Sequence, residues 1–231
     1  MSHFSIAIDG PSGAGKSTLA KMLASELNFL YVDTGAIYRT VGLAVFRRGM
    51  DPHDGAAVAA VLPQLEIGMA YAGDGLQHMY LNGEDVTAAI RRHEISAYAS
   101  AVSAIPTVRA FLLEMQRRLA REHDVIMDGR DIGTVVLPDA DVKIYLTADP
   151  SDRARRRFLE LKERGQEADP EAVLRDVVER DRQDMEREIA PLRRAEDAVL
   201  ADTTGIGLEE SYRLLLRLIR ENLPIGGERH E

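Results

Sequence analysis

The chain has 231 residues, of which 45% are hydrophobic, so it is long enough to bury a sizeable core and is no mini-protein. Its 29 Lys and Arg residues against 38 Asp and Glu residues give a net charge of -9, which argues against a protein that coats duplex nucleic acid through a broad basic face. Cysteine is absent, which excludes disulfides, thiolate metal sites and a cysteine nucleophile.

The apolar segments are too short for targeting or for spanning a membrane. The N-terminal run from Phe4 to Ile8 is interrupted at Asp9, too early for a signal sequence, and no run of about 20 apolar residues follows. We therefore expect a soluble, cytoplasmic protein with neither a membrane nor a nucleic acid as partner. Because no long exposed apolar helix is predicted, we expect a monomer.

The first fifty residues alternate between strands and helices. The run from Phe4 to Ile8 predicts a strand, and apolar residues at helical spacing after a glycine-rich loop predict a helix over 16–27. A second strand is predicted over 29–32, followed by a helix on which Ile37 to Val45 form the apolar side. Gly49 is placed to end this helix.

The segment from Leu65 to Val86 has a different pattern. Short β-prone runs are separated by two hairpin turns, Gly73-Asp74-Gly75 and Asn82-Gly83, whose residues tolerate positive φ. We predict a small antiparallel β insertion here.

Strands and helices alternate again through the rest of the chain. Helices are predicted over 88–104, 107–123, 150–162, 170–187 and 208–223, and strands over 125–127, 142–146 and 198–200. Pro106 separates the first two of these helices, and Gly165 breaks the charged pair. Five strands alternating with helices predict an α/β fold with a five-stranded, largely parallel sheet covered on both faces.

The loop after the first strand matches the spacing G-x-x-x-x-G-K-[ST] of a phosphate-binding loop (P-loop) and lies between a predicted strand and a predicted helix. Its glycines allow backbone N–H groups to converge on phosphate oxygens, and the helix dipole favours their charge. We expect Lys16 to reach the β and γ phosphates and Ser17 to ligate Mg²⁺. The predicted ATP-binding residues are Gly10, Pro11, Ser12, Gly13, Ala14, Gly15, Lys16, Ser17 and Thr18.

Two further polar clusters follow predicted strands, and the carboxyl ends of parallel strands are where open α/β sheets bind ligands. In the first cluster, Thr34 offers a hydroxyl and Arg39 a guanidinium to a phosphate. The second cluster, Asp128-Gly129-Arg130-Asp131, offers another guanidinium between two carboxylates. Asp128 is the candidate to hold a Mg²⁺-bound water, because Mg²⁺ keeps several of its waters.

The two charged helices carry a third cluster. Charged side chains stand at helical spacing, with Arg153, Arg156 and Arg157 on the first helix and Arg180, Asp184 and Arg187 on the second. Phosphoryl transfer needs positive charge that closes over the γ phosphate, and these arginines are candidates to supply it. The alternative is a set of exposed ion pairs, Asp152 with Arg156 and Glu160 with Arg164, which contribute little.

Four segments together resemble the bacterial cytidylate (CMP) kinases: Gly10-Pro11-Ser12-Gly13-Ala14-Gly15-Lys16, Asp33-Thr34-Gly35-Ala36-Ile37-Tyr38-Arg39, Asp128-Gly129-Arg130-Asp131-Ile132-Gly133-Thr134-Val135-Val136 and Glu179-Arg180-Asp181-Arg182. The resemblance extends roughly from Ile6 to Leu216. It implies a P-loop NTPase core at about 1–62, 104–150 and 190–223, a small inserted β/α monophosphate-binding domain at about 63–103 and a helical lid at about 151–189. The tail at 224–231 is expected to be frayed.

The resemblance also implies a role for each matching residue. A cytosine pocket would consist of Ser100, Arg109 and Asp131, with Arg39, Arg130 and Arg187 at the CMP phosphate, and Arg180 and Asp184 at the ribose. Thr34 and Tyr38 complete the CMP-binding set, and the turn Asp202-Thr203-Thr204 would lie near the ATP base. The catalytic residues implied are Lys16, Arg39, Arg130, Arg153, Arg157 and Arg187, with Ser17 and Asp128 at the metal.

Two positions depart from the family pattern. Ser17 stands where several members have glycine, which strengthens the Mg²⁺ assignment, and Thr34 stands where many have serine. Thr34 keeps the hydroxyl but adds a methyl group near the acceptor, which leaves the preference between ribose and deoxyribose open.

The implied activity is transfer of the γ-phosphoryl of Mg-ATP to CMP or dCMP. Alternatives from the residues alone are a P-loop kinase for UMP, AMP or a non-nucleotide acceptor such as shikimate, and a nucleotide-controlled switch or ATP sensor. No Asn-Lys-x-Asp motif supports a GTPase. A nucleic-acid-binding protein is disfavoured by the net charge and by an aromatic content of 5%.

Overall fold

The computed structural model describes residues 3–71, 77–163 and 165–223. The predicted turn Gly73-Asp74-Gly75, Arg164 of the predicted ion pair with Glu160, and the tail 224–231 lie outside the described residues.

The described elements follow one another in the expected alternation. The strands are β1 (Ser5–Asp9), β2 (Leu30–Asp33), β3 (Ile67–Tyr71), β4 (Gln77–Leu81), β5 (Glu84–Asp85), β6 (Val125–Gly129), β7 (Val142–Thr147) and β8 (Val199–Asp202). The helices are α1 (Lys16–Leu27), α2 (Thr34–Arg47), α3 (Gly55–Val61), α4 (His93–Ser103), α5 (Pro106–Glu122), α6 (Pro150–Glu163), α7 (Pro170–Glu186) and α8 (Leu208–Asn222). Single 3₁₀ turns lie at Leu62–Gln64 and Ala89–Arg91, and a π-helical turn lies at Ile132–Val136.

A five-stranded sheet in the order β2-β6-β1-β7-β8 forms the core. Strand β1 pairs in parallel with β6 and β7, and β7 pairs in parallel with β8. Ile6 and Ile8 are fully buried and pack with Leu23 of α1 and Ile219 of α8. Strands buried on both faces require continuous apolar runs, and the central strands β1 and β6 are buried along almost their whole length. The predicted five-stranded parallel sheet flanked by helices is confirmed.

The helix ends show why several boundaries could be predicted. Helix α1 spans Lys16–Leu27 as expected, and Asn28 closes it in the left-handed conformation with φ of 56°. Gly49, with φ of 65°, follows the end of α2. Pro106 is the first residue of α5, where its missing N–H has no helical partner to lose, so it separates α4 from α5 as predicted.

One predicted helix begins later than expected, and one helix was not predicted. The helix predicted from 88 to 104 begins only at His93, because Arg92 is extended (ψ of 145°) and separates α4 from a short 3₁₀ turn. Helix α3 was not predicted, although Asp54 caps it by accepting a hydrogen bond from the N–H of Ala57 at 2.9 Å.

The chain divides into two compact units, Met1–Tyr31 with Ala120–Glu231, and Val32–Leu119. The second unit contains the antiparallel sheet β3-β4-β5. Asn82 and Gly83 form its predicted turn, with φ of 52° and 81°. The functional division into core, insertion at 63–103 and lid at 151–189 stays a prediction.

In the described part of the chain, no single helix is long and apolar enough to span a membrane. Helices α4 and α5 meet the length and composition criteria only as a pair, and they are bent by 99° relative to each other.

Gly42 allows α2 and α4 to approach closely within the second unit. A Cβ at this position would lie 2.9 Å from the backbone nitrogen of Ala99, and backbone cannot move aside cheaply. We expect Gly42→Ala to lower the free energy of unfolding by ~1–3 kcal/mol in denaturant titrations. Gly55→Ala is the matched control, because its Cβ would meet only Ile105 at 3.8 Å. Equal stability of Gly42→Ala and the control would contradict the packing argument.

Candidate active site

The glycine-rich loop joins β1 to α1 in a conformation that requires its glycines. Gly10, Gly13 and Gly15 have φ of 151°, 75° and 88°, which side chains rarely tolerate. A Cβ on Gly10 would lie 1.9 Å from the carbonyl oxygen of Leu146, so this residue is required sterically as well. Gly15 caps α1 without a side-chain hydrogen bond. Since no side chain caps α1, the N–H groups of its first turn remain suited to phosphate oxygens.

Lys16, the first residue of α1, is buried, with 5% of its surface exposed. Its Nζ donates a hydrogen bond to the carbonyl oxygen of Pro11 at 2.7 Å, so the ammonium lies over the loop. Burial, reinforced by the nearby positive charge of Arg130, lowers the pKa of Lys16 to about 7 despite the neighbouring carboxylates. An anion that binds at the loop would therefore strongly stabilise the protonated form of Lys16.

Ser17 and Asp128 come together at the carboxyl end of β6. The exposed Ser17 hydroxyl donates to Oδ2 of Asp128 at 2.9 Å, and the Tyr31 hydroxyl donates to Oδ1 at 2.8 Å. A hydroxyl beside a buried carboxylate presents hard oxygen ligands of the kind that Mg²⁺ prefers. The two residues predicted at the metal are therefore neighbours.

Asp9, at the end of β1, anchors the segment that follows β6. Its carboxylate accepts hydrogen bonds from the N–H groups of Ile132 at 2.8 Å and Gly133 at 2.7 Å, the first residues of the π-helical turn. Burial raises the pKa of Asp9 to about 6 against these two hydrogen bonds. This anchor fixes the course of the chain just after Arg130 and Asp131.

Arg130 is held by α7. Its Nε donates to Oδ2 of Asp184 at 2.7 Å, and its Nη1 donates to the carbonyl oxygen of Gly129 at 3.3 Å. Burial acts to raise the pKa of Asp184, but the charges of Arg130, Arg180 and Arg187 outweigh it and hold the pKa below its usual value. The predicted residues Arg130, Arg180, Asp184 and Arg187 therefore form one electrostatic cluster.

Arg187 differs from its prediction in secondary structure. It was expected on the helix over 170–187, but α7 ends at Glu186 and Arg187 is the residue after it, with ψ of 138°. From this position its Nη2 lies 3.4 Å from Oδ1 of Asp131, and its Nε donates to the carbonyl oxygen of Ala190 at 2.6 Å. The end of the helix thus turns Arg187 towards Asp131, one of the predicted cytosine-pocket residues.

Helix α6 carries four arginines, and the three that the sequence analysis singled out have different environments. Arg153 is buried and bonded on all three guanidinium nitrogens, and Arg157 is partly exposed and pairs with Glu160 at 2.9 Å. Arg156 donates to the carbonyl oxygen of Thr203 at 2.6 Å, within the turn predicted near the ATP base. The expected ion pair between Asp152 and Arg156 does not form, because Arg156 is engaged at this turn.

In the second unit, Arg39 pairs with Asp33. Its Nη2 donates to Oδ2 of Asp33 at 2.8 Å, while its buried Nε has no acceptor among the described residues. The side chain of Gln77 fixes the backbone of Asp33. Its Oε1 accepts from the Asp33 N–H at 2.7 Å, and its Nε2 donates to the Asp33 carbonyl oxygen at 3.2 Å. A guanidinium N–H that is buried without an acceptor is suited to an anionic ligand.

The other CMP-binding residues predicted in this unit lie on three helices. Arg109 on α5 is buried, donates to the carbonyl oxygen of Ser103 at 3.1 Å and stands 5.5 Å from the ring centroid of Tyr38 on α2. Ser100 on α4 accepts a hydrogen bond from Ser103 through its carbonyl oxygen. Thr34 is buried at the start of α2. Arg109 is therefore close to Tyr38 and to the Ser100–Ser103 turn, and the predicted cytosine pocket stays a prediction.

Sequence reasoning missed four residues that support the site: Asp9, Tyr31, Gln77 and Asp181. Asp9 could have been predicted from the sequence. It lies at the carboxyl end of the strand before the P-loop, and open α/β sheets bind ligands at the carboxyl ends of their strands. Tyr31 and Gln77 gave no signal, and Asp181 stood in the segment Glu179-Arg180-Asp181-Arg182 without an assigned role. Each of the three bonds a partner brought close only by folding.

The family model and the two sequence relatives below agree on one family. The family described as cytidylate kinase matches residues 6–221. A cytidylate kinase of Caldicellulosiruptor bescii is 50% identical over 218 residues, 94% of this chain and 96% of that protein. A cytidylate kinase of Geobacter sulfurreducens is 51% identical over 216 residues, 94% of this chain and 92% of that protein. An uncharacterized protein from Eubacterium ventriosum shares the fold, with a TM-score of 0.54 at 13% identity, over 95% of this chain and 99% of that one.

The lowered pKa of Lys16 predicts proton uptake on nucleotide binding. At about pH 8 an amine with a pKa near 7 is largely neutral, and phosphates at the loop restore its proton. Calorimetric titration with a nucleoside triphosphate, in buffers of different ionisation enthalpy, should therefore report uptake approaching one proton at this pH and less at lower pH. Lys16→Arg is the control, because a guanidinium stays protonated. Heats that do not depend on the buffer would contradict the prediction.

Proposed function

Because the chain belongs to the cytidylate kinase family, we propose that it transfers the γ-phosphoryl of Mg-ATP to CMP or dCMP, giving CDP or dCDP. Membership makes the chain a nucleoside monophosphate kinase, which is a phosphotransferase, and agrees with the P-loop fold predicted from the sequence. The observation that carries the proposal is the buried Lys16, whose ammonium lies over a P-loop beside Asp128 and Arg130. The cytoplasmic location and the monomeric state stay predictions.

The donor site is proposed at the loop Gly10–Thr18. The loop N–H groups and the start of α1 would bind the phosphates of ATP, with Lys16 at the β and γ phosphates. Lys16 must then leave the Pro11 carbonyl oxygen, a weak competitor for a charged group. The loop is therefore organised before the nucleotide arrives.

Mg²⁺ is proposed at Ser17 and Asp128. In the described part of the chain, no group of three or more His, Cys, Asp or Glu residues could hold a metal. A hydroxyl and a carboxylate joined by a hydrogen bond nevertheless fit Mg²⁺, which is usually bound by one or two protein oxygens together with phosphates and waters. An ion held there by Ser17 and Asp128 would supply positive charge to the phosphates of ATP.

The acceptor residues are proposed group by group. In the first unit, Arg130 and Arg187 would bind the CMP phosphate, Arg180 and Asp184 the ribose, and Asp131 the base. In the second unit, the buried Nε of Arg39 would bind phosphate, and Thr34, Tyr38, Ser100 and Arg109 would complete the set of residues that bind CMP. The support for these roles is that five of these side chains are already held in ion pairs: Arg39, Arg130, Asp131, Asp184 and Arg187.

Catalysis would come from alignment and charge. A phosphate oxygen of CMP is already anionic, so no strong general base is required. Lys16 and Arg157 would stabilise the transferring phosphoryl group, while Arg39, Arg130 and Arg187 hold the acceptor in line. Helices α6 and α7, which span the predicted lid at 151–189, would exclude the water that otherwise accepts the phosphoryl group.

Acceptor profiling tests the proposed substrate. ADP release from Mg-ATP should be fastest with CMP and dCMP, with kcat/KM at least ~10-fold above that for UMP, AMP, GMP or shikimate. Lys16→Met is the control and should abolish turnover. Preference for another acceptor would void the pocket of Ser100, Arg109 and Asp131 but keep the phosphoryl-transfer site. Turnover with none of them would favour the switch or sensor alternative.

Arg130→Ala tests the acceptor site. We expect kcat/KM for CMP to fall roughly 100-fold, because a charge at the acceptor phosphate is lost, while the calorimetric Kd for ATP changes little. Arg182→Ala is the matched control, since Arg182 lies exposed on the same α7 and forms ion pairs with Glu179 and Glu186. Unchanged kinetics of Arg130→Ala with CMP would overturn the assignment.

A further inference from the structure

Arg153, in the first turn of α6, has the most constrained environment of the four α6 arginines. Only 3% of its surface is exposed, and each guanidinium nitrogen donates to an oxygen. Nε donates to the carbonyl oxygen of Ala148 at 2.8 Å, Nη1 to the carbonyl oxygen of Ser12 at 2.8 Å, and Nη2 to Oδ2 of Asp181 at 2.6 Å. The planar guanidinium thus joins three separate segments: the P-loop, the end of β7 and helix α7.

The P-loop lies directly against Arg153. A Cβ on Gly13 would stand 3.3 Å from both the Cβ and the carbonyl oxygen of Arg153. Ser12, whose carbonyl oxygen accepts from Arg153, is the residue before Gly13. Arg153 therefore contacts the P-loop at Ser12 and Gly13. We expect a shift of the Arg153 side chain to change the direction of the loop N–H groups.

Asp181 fixes Arg153 from the side of α7. Both side chains are buried, and two charges removed from water are tolerated only when they compensate each other. Asp184, one turn further along α7, binds Arg130 at 2.7 Å. The same helix thus fixes the arginine under the P-loop and the arginine proposed at the acceptor phosphate.

We propose that Arg153 and Asp181 act as a positioning pair that holds the P-loop in its ATP-binding conformation, and that Arg153 does not contact the transferring phosphoryl group. The inference deepens the proposed function, on which it rests for the identity of the donor. Of the two α6 arginines implied as catalytic, Arg157 is partly exposed, pairs with Glu160 and can move to the phosphates.

Three roles for Arg153 give three different outcomes. A positioning role predicts that Asp181→Asn reproduces the defect of Arg153→Lys, because each removes the same interaction. Direct contact with the phosphoryl group predicts that Arg153→Lys lowers kcat alone and that Asp181→Asn has no effect. A merely structural role predicts lower thermal stability with unchanged affinity for ATP.

The experiment measures the calorimetric Kd for ATP, the KM values for ATP and CMP, kcat and the Tm of the full chain. We expect Arg153→Lys and Asp181→Asn each to weaken ATP binding about 10-fold, with KM for CMP within about twofold of the wild type. The double variant should be no weaker than either single variant, since both belong to one interaction. Arg175→Lys and Glu171→Gln, an exposed pair on α7, are the matched controls and should change none of these values.

A third variant keeps the test decisive if a single substitution prevents folding. Arg153→Met combined with Asp181→Leu replaces the charges by apolar side chains, a change that buried pairs often tolerate. If this variant folds and binds ATP like the wild type, the proposal is wrong. A lower kcat of Arg153→Lys with an unchanged Kd for ATP would also overturn the proposal. So would a lower Tm of all variants with an unchanged Kd for ATP. Because ATP binding needs no acceptor, failure of the wild type to phosphorylate CMP would overturn the proposed function and leave this test intact.

Discussion

The site depends on positive charge buried at the carboxyl ends of β1 and β6. The Lys16 ammonium and the Arg130 guanidinium lie close enough for Arg130 to depress the pKa of Lys16, and burial depresses it further, to about 7. The carboxylates of Asp128, Asp184 and Asp9 act in the opposite direction and raise the pKa of Lys16. A protein that buries like charges in this way is electrostatically prepared for an anion.

The rest of the site holds these charges in place before any ligand binds. Gly10 passes so close to Leu146 that no side chain fits, which fixes where the loop leaves β1. Asp9 anchors the turn after β6, Asp184 holds Arg130, and Asp181 holds Arg153 beneath the loop. Groups already fixed by packing and hydrogen bonds need little reorganisation during phosphoryl transfer, which is where electrostatic catalysis gains most.

The parts of this account that the sequence could predict have local signals. The loop motif and the apolar spacing of α1 lie within a few residues of each other, so helix Lys16–Leu27 and the parallel sheet were both predicted correctly. The electrostatics could not be predicted, because Asp9 bonds residues more than 120 positions away and Arg153 bonds Asp181, 28 positions away. Arg153 and Arg157 show the limit clearly. They stand four apart on one helix, yet 3% of the first and 38% of the second side chain is exposed.

The most direct test of the central claim is a crystal structure with Mg²⁺ and a non-hydrolysable ATP analogue. The account predicts that the triphosphate lies in the loop, that the Lys16 ammonium has left the Pro11 carbonyl oxygen for the phosphates, and that Gly10, Gly13 and Gly15 keep their present φ values. A triphosphate bound elsewhere, with Lys16 still bonded to Pro11, would contradict it.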